Sequence, residues 1–391
     1  MHKLSTNPLY FDTAATTRIA PEVVAAMVDQ MSSATIFANP SSSSHSFGQA
    51  AASVVDIARS QIAAEFGCEI DEIIFTSGAT EANNLALRGL ALAHSDHGRH
   101  IITSKIEHKA VLNCCAALER EGFEITYLSP NSRGWIEPAD IATALRPDTL
   151  MVSLMHINNE TGVMQPINEV AALATEQGVI LHVDAAQAAG KFRINLQEMP
   201  IDLLSLSAHK FHGPKGIGCL VVRNRRQLRL QPLMYGGGQE FGLRPGTLAT
   251  HQIIGLAAAL TLAADRRQAD YANVTNLKRY FIESLGSRMP IQIHGQSEDA
   301  SPYILNFSIA GIGSDALLNQ LAGQIAIASG SACTSGTVEP SHVLRAMGIE
   351  GESLYGAVRI SFDRHHSMEN IFTAVDQIVA AVRRMQDITR K

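Results

Sequence analysis

Seven short strand-like runs, threaded between helical patterns from about residue 50 to 225, limit the fold more than any other feature of this chain. They are Ile73–Thr76, Ile101–Ser104, Ile125–Leu128, Leu150–Met155, Val179–Val183, Leu203–Leu206 and Gly218–Val222. Ala51, Val55, Ala58, Ile62 and Phe66 mark a helical stripe that Gly67 closes. Ala110–Glu121 and Asn168–Gln177 carry further helical spacing, the second ended by Gly178. This βαβ rhythm implies an α/β fold with a largely parallel seven-stranded sheet covered by helices on both faces.

Beyond about residue 255 the pattern becomes α+β. Two long helices are expected over Gln252–Arg267 and Val274–Leu285, then strand-like runs at Tyr303–Ile309, Ile325–Ser329 and Ala357–Phe362, then a final helix. The expected organisation is a large domain over residues 15–255 and a smaller one formed by 1–14 with 256–391. The NPSSSSHS segment at 39–46 suits a polar loop.

A net charge of −6 without a long basic run argues against a nucleic-acid surface. The MHKLSTNPLYFDTAATT start lacks an apolar signal core, and the mostly apolar stretch Ile253–Ala264 is too short to span a bilayer. Five cysteines without a CxxC pair suit free thiols in a reducing cytoplasm, with Cys114 and Cys115 reading as small core residues. The expectation is a cytoplasmic enzyme.

Ligands of open α/β sheets collect outside the carboxyl ends of the strands, and four segments fall at such places or carry reactive groups. In FTSGATEANN, small residues precede a helix whose first N–H groups could hold a phosphate, although Thr80 could equally cap that helix. In VILHVDAAQAAG, a strand ends on Asp184, followed by Gln187. A general base, a partner for a protonated pyridine nitrogen or a structural cap all fit Asp184. A metal ligand does not, for want of neighbouring carboxylates.

In DLLSLSAHKFHGPKGIG, Ser207, His209 and Lys210 follow a strand. Desolvation there would lower the Lys210 pKa and suit it to imine formation, whereas Lys215 looks solvated. In ASGSACTSGT, Cys333 lies among Ser, Gly and Thr, a setting for a mobile reactive thiol rather than a core cysteine. His182, inside a strand, reads as a satisfied core residue. His365 and His366 read as surface, and His156 and His212 have no assigned role.

Together these segments resemble the cysteine desulfurases, fold-type I pyridoxal 5'-phosphate enzymes of the class V aminotransferase group. The likeness runs through FDTAATT, NPSSSSH, SGATEANN, SKIEHKAV, HINNETG, HVDAAQ, SAHKFHGPKG, GGGQEFGLRPGT, SGSACTSGTVEPSHVLRAMG and VRIS. The resemblance implies Lys210 as the Schiff-base lysine, Asp184 as partner of the pyridine nitrogen, and Gln187 at the ring hydroxyl oxygen. His108 would stack on the ring and move protons. Ala79, Thr80, Ser207 and His209 would hold the phosphate, with Thr247 reaching over from the other subunit of a homodimer. Asn159 lies at a cofactor position, and Asn39 and Arg359 would receive the substrate carboxylate.

The implied reaction takes sulfur from L-cysteine, leaving L-alanine and a persulfide on Cys333 of a loop at about 326–340, for transfer to an acceptor protein. A selenocysteine lyase, or another class V aminotransferase or lyase, is the rival on the same scaffold. A non-catalytic scaffold would have lost the lysine, the pyridine partner or the thiol. Iron–sulfur assembly, tRNA thiolation and DNA phosphorothioation stay open as destinations. The short tail, RRMQDITRK soon after the final helix, and the RPGT and SGTVEP variants suit a specialised role. No direct nucleic-acid, membrane or metal contact is expected.

Overall fold

A computed structural model describes residues 8–295, 300–329 and 340–389, with side chains through residue 387. The chain opens with β1 (Leu9–Tyr10), α1 (Pro21–Ser32) and α2 (Ser46–Phe66). Then β2 (Ile73–Thr76), α3 (Ala79–Ala93), β3 (His100–Ser104), α4 (Lys109–Arg120) and β4 (Glu124–Leu128) alternate strand with helix. The alternation continues through α5 (Pro138–Ala144), β5 (Thr149–Met155), α6 (Ile167–Gln177) and β6 (Ile180–Asp184), ending with β7 (Leu203–Ser207) and β8 (Gly218–Val222). Helix α2 stops where Gly67 turns left-handed at φ 65°, and α6 stops at Gly178 in the same way.

Strands β2 to β8 form one seven-stranded sheet in the order β2-β8-β7-β6-β5-β3-β4. Pairing is parallel except at β8, which runs antiparallel to both β2 and β7. Successive side chains of each strand enter opposite cores. Ile73, Phe75, Ile102, Val152, Leu154, Leu204 and Leu206 pack with α2 and α6. Ile74, Ile101, Met151, Leu203 and Leu220 pack with α3 and α4 on the other face.

The remaining elements are α7 (Thr250–Gly286), β9 (Ile291–His294), β10 (Ile304–Ile309), α8 (Ser314–Leu321), β11 (Ile325–Ala326) and β12 (Ala328–Ser329), then α9 (His342–Ala346), α10 (Gly351–Tyr355), β13 (Val358–Ser361) and α11 (Met368–Thr389). A four-stranded antiparallel sheet, β12-β13-β10-β9, covers a third core with α7, α8 and α11, while β1 pairs with β11. Phe11 and Ala14 join this core, whereas Val343, Leu344, Met347 and Leu354 join the large one.

Three expectations need correction. The two helices expected over 252–285 are one 37-residue helix, α7. The polar stretch between them looked like a break, yet Asp270 is buried and accepts an ion pair from Arg364 at 3.0 Å. The run 325–329 is split between two sheets. His366 is not on the surface: its ring stacks on Phe11 at 4.2 Å between centroids and its Nε2 meets the Tyr10 carbonyl at 2.8 Å. His182 is the core residue expected, bonded to Ser153 and Ser205 at 2.8 and 3.0 Å.

Candidate active site

The carboxyl ends of β2, β3, β5, β6 and β7 open into a cavity of about 650 Å³. Ala79, Thr80, His108, Asn159, Asp184, Gln187, Ser207, His209, Lys210 and Arg359 all line it. Asn39 and Thr247 do not: both are exposed, and Asn39 Oδ1 accepts from Ser41 N at 2.9 Å. Cys333 and most of its loop lie outside the described residues.

One corner of the cavity is the start of α3. Its N-cap is Gly78 and no side chain caps it, so Thr80 is not the structural cap that the sequence left open. A Cβ at Gly218 would lie 2.3 Å from Leu206 O and 2.7 Å from Gly78 Cα, so only glycine lets β8 pass this turn. Across the corner, His209 Nδ1 meets Thr16 Oγ1 at 3.1 Å, and burial pushes the ring's pKa down to about 4. His209 is therefore a neutral hydrogen-bonding group.

Asp184 ends β6 as a buried carboxylate held by neutral donors. Asn83 Nδ2 donates to Oδ2 at 2.7 Å and Ala186 N to Oδ1 at 2.9 Å. Among the described residues no side-chain cation lies within 4.0 Å of it. Lys210 presents the converse, a half-buried amine with no carboxylate within 4.0 Å among the described residues. Its Nζ donates to the Ala14 and Ala15 carbonyls at 2.6 and 2.9 Å. Burial, then Arg359, pull its pKa down to about 8, against Asp184 and Asp12.

His108 caps α4, its Nδ1 accepting from Ala110 N at 3.1 Å, which leaves the proton of the neutral ring on Nε2. Burial lowers its pKa, Asp184 opposes this and Lys210 adds to it. Arg359 reaches the cavity from β13: Nη1 donates to the Asn159 carbonyl at 2.8 Å and Nη2 to Asp12 Oδ1 at 2.7 Å. Its Nε is buried without a partner.

Three contributors escaped the sequence reading. Asn83, fully buried on an otherwise apolar helix face, orients Asp184; an asparagine among alanines and leucines was the available signal. Glu107 lies under the β3–α4 turn, its Oε1 accepting from Ser104 Oγ at 2.7 Å and Met155 N at 2.9 Å. Burial pushes its pKa up to about 8, so it is a neutral acid. Lys191 donates to Gln187 Oε1 at 3.1 Å. A second cavity, of about 730 Å³, is lined in part by Arg59 and Glu240, which neutralise each other at 2.6 Å.

Residues 9–373 match the aminotransferase class-V family. The cysteine desulfurase IscS of Vibrio vulnificus (strain CMCP6) is 45% identical over 382 residues, 98% of this chain and 94% of that protein. The chain belongs to the cysteine desulfurases. Among solved structures, this desulfurase is similar to a NifS-like protein, with TM-score 0.90 and 33% identity over 96% of this chain and 100% of the other. It is also similar to SspA, solved in complex with cysteine, with TM-score 0.80 and 38% identity over 92% and 100% of the two chains. The mixed seven-stranded sheet agrees with fold-type I.

Cysteine desulfurases are a pyridoxal phosphate-dependent family, and the cavity's donor set suits that group. A buried carboxylate lacking a cation fits a protonated ring nitrogen, and an amine whose pKa is lowered fits an aldehyde. A helix N-terminus beside Ser207 and His209 fits a phosphate.

Proposed function

We propose that this cysteine desulfurase binds pyridoxal 5'-phosphate in the cavity at the strand ends and passes sulfur from L-cysteine to Cys333. The observation that most supports the site is the pairing of opposites in one cavity: Asp184 without a cation and Lys210 without a carboxylate. Lys210, Asp184, Gln187 and the corner of Ala79, Thr80, Ser207 and His209 would hold the cofactor, with Asn159 beside it. When bound, the cofactor supplies an aldehyde that captures an amine and a ring that draws electrons from the bonds at Cα.

The chain's own groups then act as follows. Arg359, steadied by Asp12 and the Asn159 carbonyl, receives the L-cysteine carboxylate, and Asn39 assists. Lys210 Nζ and the His108 imidazole take the proton from Cα and later return it, burial holding the pKa of each below its ordinary value. The Cys333 thiolate attacks the substrate sulfur. A sulfur–sulfur bond forms, the Cβ–sulfur bond breaks with its electron pair staying on carbon, and protonation there gives L-alanine. The described cysteines are unsuited to this step. Burial pushes Cys68 up to about 12 and Cys114 to about 11, and raises Cys115 and Cys219 as well.

The persulfide would pass to an acceptor protein, in keeping with the acidic charge balance. No helix of the described residues is long and apolar enough to cross a membrane. Thr247, exposed in its own subunit, would complete the phosphate site of the second subunit in a homodimer. A selenocysteine lyase or another class V aminotransferase or lyase would use the same lysine but not require the thiol for cysteine turnover.

The decisive assay measures L-alanine and sulfide from L-cysteine with a reductant. Wild type should make both. Cys333→Ala should stay yellow yet release no sulfide, and Lys210→Ala should lose both colour and turnover. Wild-type turnover by Cys333→Ala would rule out the persulfide route.

A further inference from the structure

Lys191 is a second half-buried lysine close to the site, four residues beyond Gln187, and the mechanism above leaves it without a task. Its Nζ lies 5.5 Å from the centre of the Tyr303 ring and 3.1 Å from Gln187 Oε1. Among the described residues no carboxylate comes within 4.0 Å of it. Burial, followed by the Lys210 charge, pulls its pKa down to about 7, with Asp363 opposing and Arg359 adding to the fall. An ammonium so placed is costly to bury, and a hydrophobic residue would fill the space without that penalty.

What the amine does follows from hydrogen-bond bookkeeping. Gln187 Nε2 donates to the Ala14 carbonyl at 2.9 Å, and that carbonyl also accepts from Lys210 Nζ at 2.6 Å. The Ala14 carbonyl can only accept, so Gln187 must turn its NH₂ there and its oxygen to the Lys191 amine, which can donate whether charged or neutral. Reversing the amide would set its NH₂ against the Lys191 amine and its oxygen against the Ala14 oxygen. The nitrogen carries two hydrogens, and Ala14 uses one. The second is available to an acceptor in the cavity that Gln187 lines.

We propose that Lys191 is a positioning residue that holds the Gln187 carbonyl at the wall and thereby keeps the Gln187 N–H on the ring oxygen of bound pyridoxal phosphate. This rests on the cofactor reading given above. An N–H at that oxygen stabilises its anionic form. It therefore lowers the pH at which the bound cofactor loses the proton responsible for its yellow colour. Without Lys191, Oε1 is a buried acceptor with no donor, and the amide gains by turning away.

The test uses cofactor-loaded wild type, Lys191→Met, Gln187→Ala and the double variant. Two quantities are read: the pH midpoint of the yellow absorbance, and retention of pyridoxal phosphate on dilution. Lys191→Met should raise the midpoint by about one unit and weaken retention about five- to tenfold, as for one lost hydrogen bond. In the Gln187→Ala background the same substitution should add nothing. Lys191→Gln, shorter and uncharged but still a donor, should stay near the wild-type midpoint, and it carries the test if the Met variant does not fold.

An unchanged midpoint in Lys191→Met overturns the proposal, leaving Lys191 a packing residue. An equal shift with and without Gln187 also overturns it, because the lysine would then act by its charge alone. A shift in Lys191→Gln as large as in the Met variant has the same force. A wild-type protein that takes up no pyridoxal phosphate instead overturns the cofactor reading on which the inference rests.

Discussion

Lys210 shows how a single residue can store instability for later use. Its pKa of about 8, against the ordinary value of 10.5, means that between these limits the folded chain has released a proton that the unfolded chain keeps. Stability must therefore rise with pH across this window, and below it the protein carries the full penalty, about 3 kcal/mol from the size of the shift. Lys191 and Lys278, pushed down to about 7 and 8, act in the same sense, so the comparison must be between variants. Cofactor-free Lys210→Met should resist urea better than wild type by about 3 kcal/mol at pH 7. The advantage should fade as the pH approaches 10.5. A gain independent of pH would assign the effect to packing instead. At this scale the sequence shows Lys210 and Asp184 because each follows an apolar strand. It does not show the Ala14 carbonyl that receives Lys210, because 196 residues separate them.

Among the elements, β2 occupies one edge of the large sheet, where unpaired N–H groups invite association. Glu240 covers part of that edge. Its buried carboxylate accepts from Phe75 N at 2.7 Å and from both terminal nitrogens of Arg59, which also donates to the Ile73 carbonyl. To reach there, Glu240 and Phe241 adopt left-handed backbone at φ 48° and 56°, a conformation that side-chain-bearing residues seldom hold without compensation. Glu240→Ala should cost about 3 kcal/mol in denaturant unfolding because it leaves Arg59 buried and unpaired. A loss below about 1 kcal/mol would mean that the pair only offsets its own desolvation. Most strands and helices of the large sheet were legible because their periodicity is local. Strand β9 was not, since Ile291 and Ile293 are only partly buried and its last residue is the buried, hydrogen-bonded His294. The continuity of α7 was hidden for a similar reason: the partner that allows Asp270 inside, Arg364, lies far along the chain.

At the scale of the molecule, the site draws on both cores. Most of its groups sit on the large sheet, but Arg359 comes from β13 and is pinned to Asn159 and Asp12. The continuous connection between the cores is α7, about 55 Å long. It places Ile253, Leu256, Leu260 and Ala263 in the large core and Val274, Leu277, Phe281 and Leu285 in the small one. A helix rooted in both makes their unfolding cooperative. Ala269, exposed between the two sets, is where this can be tested. Proline there removes one helical hydrogen bond and clashes with the preceding turn, a local cost of about 3 kcal/mol. Trp135 is the chain's single tryptophan and adjoins Ile136 of the large core, so its fluorescence reports that core, while far-ultraviolet dichroism reports helices in both. In cofactor-free wild type the two guanidinium curves should coincide. In Ala269→Pro the dichroism should begin to fall first, as the small core unfolds ahead of the large. Curves that shift together without separating would mean that packing across the site, rather than the helix, joins the two cores.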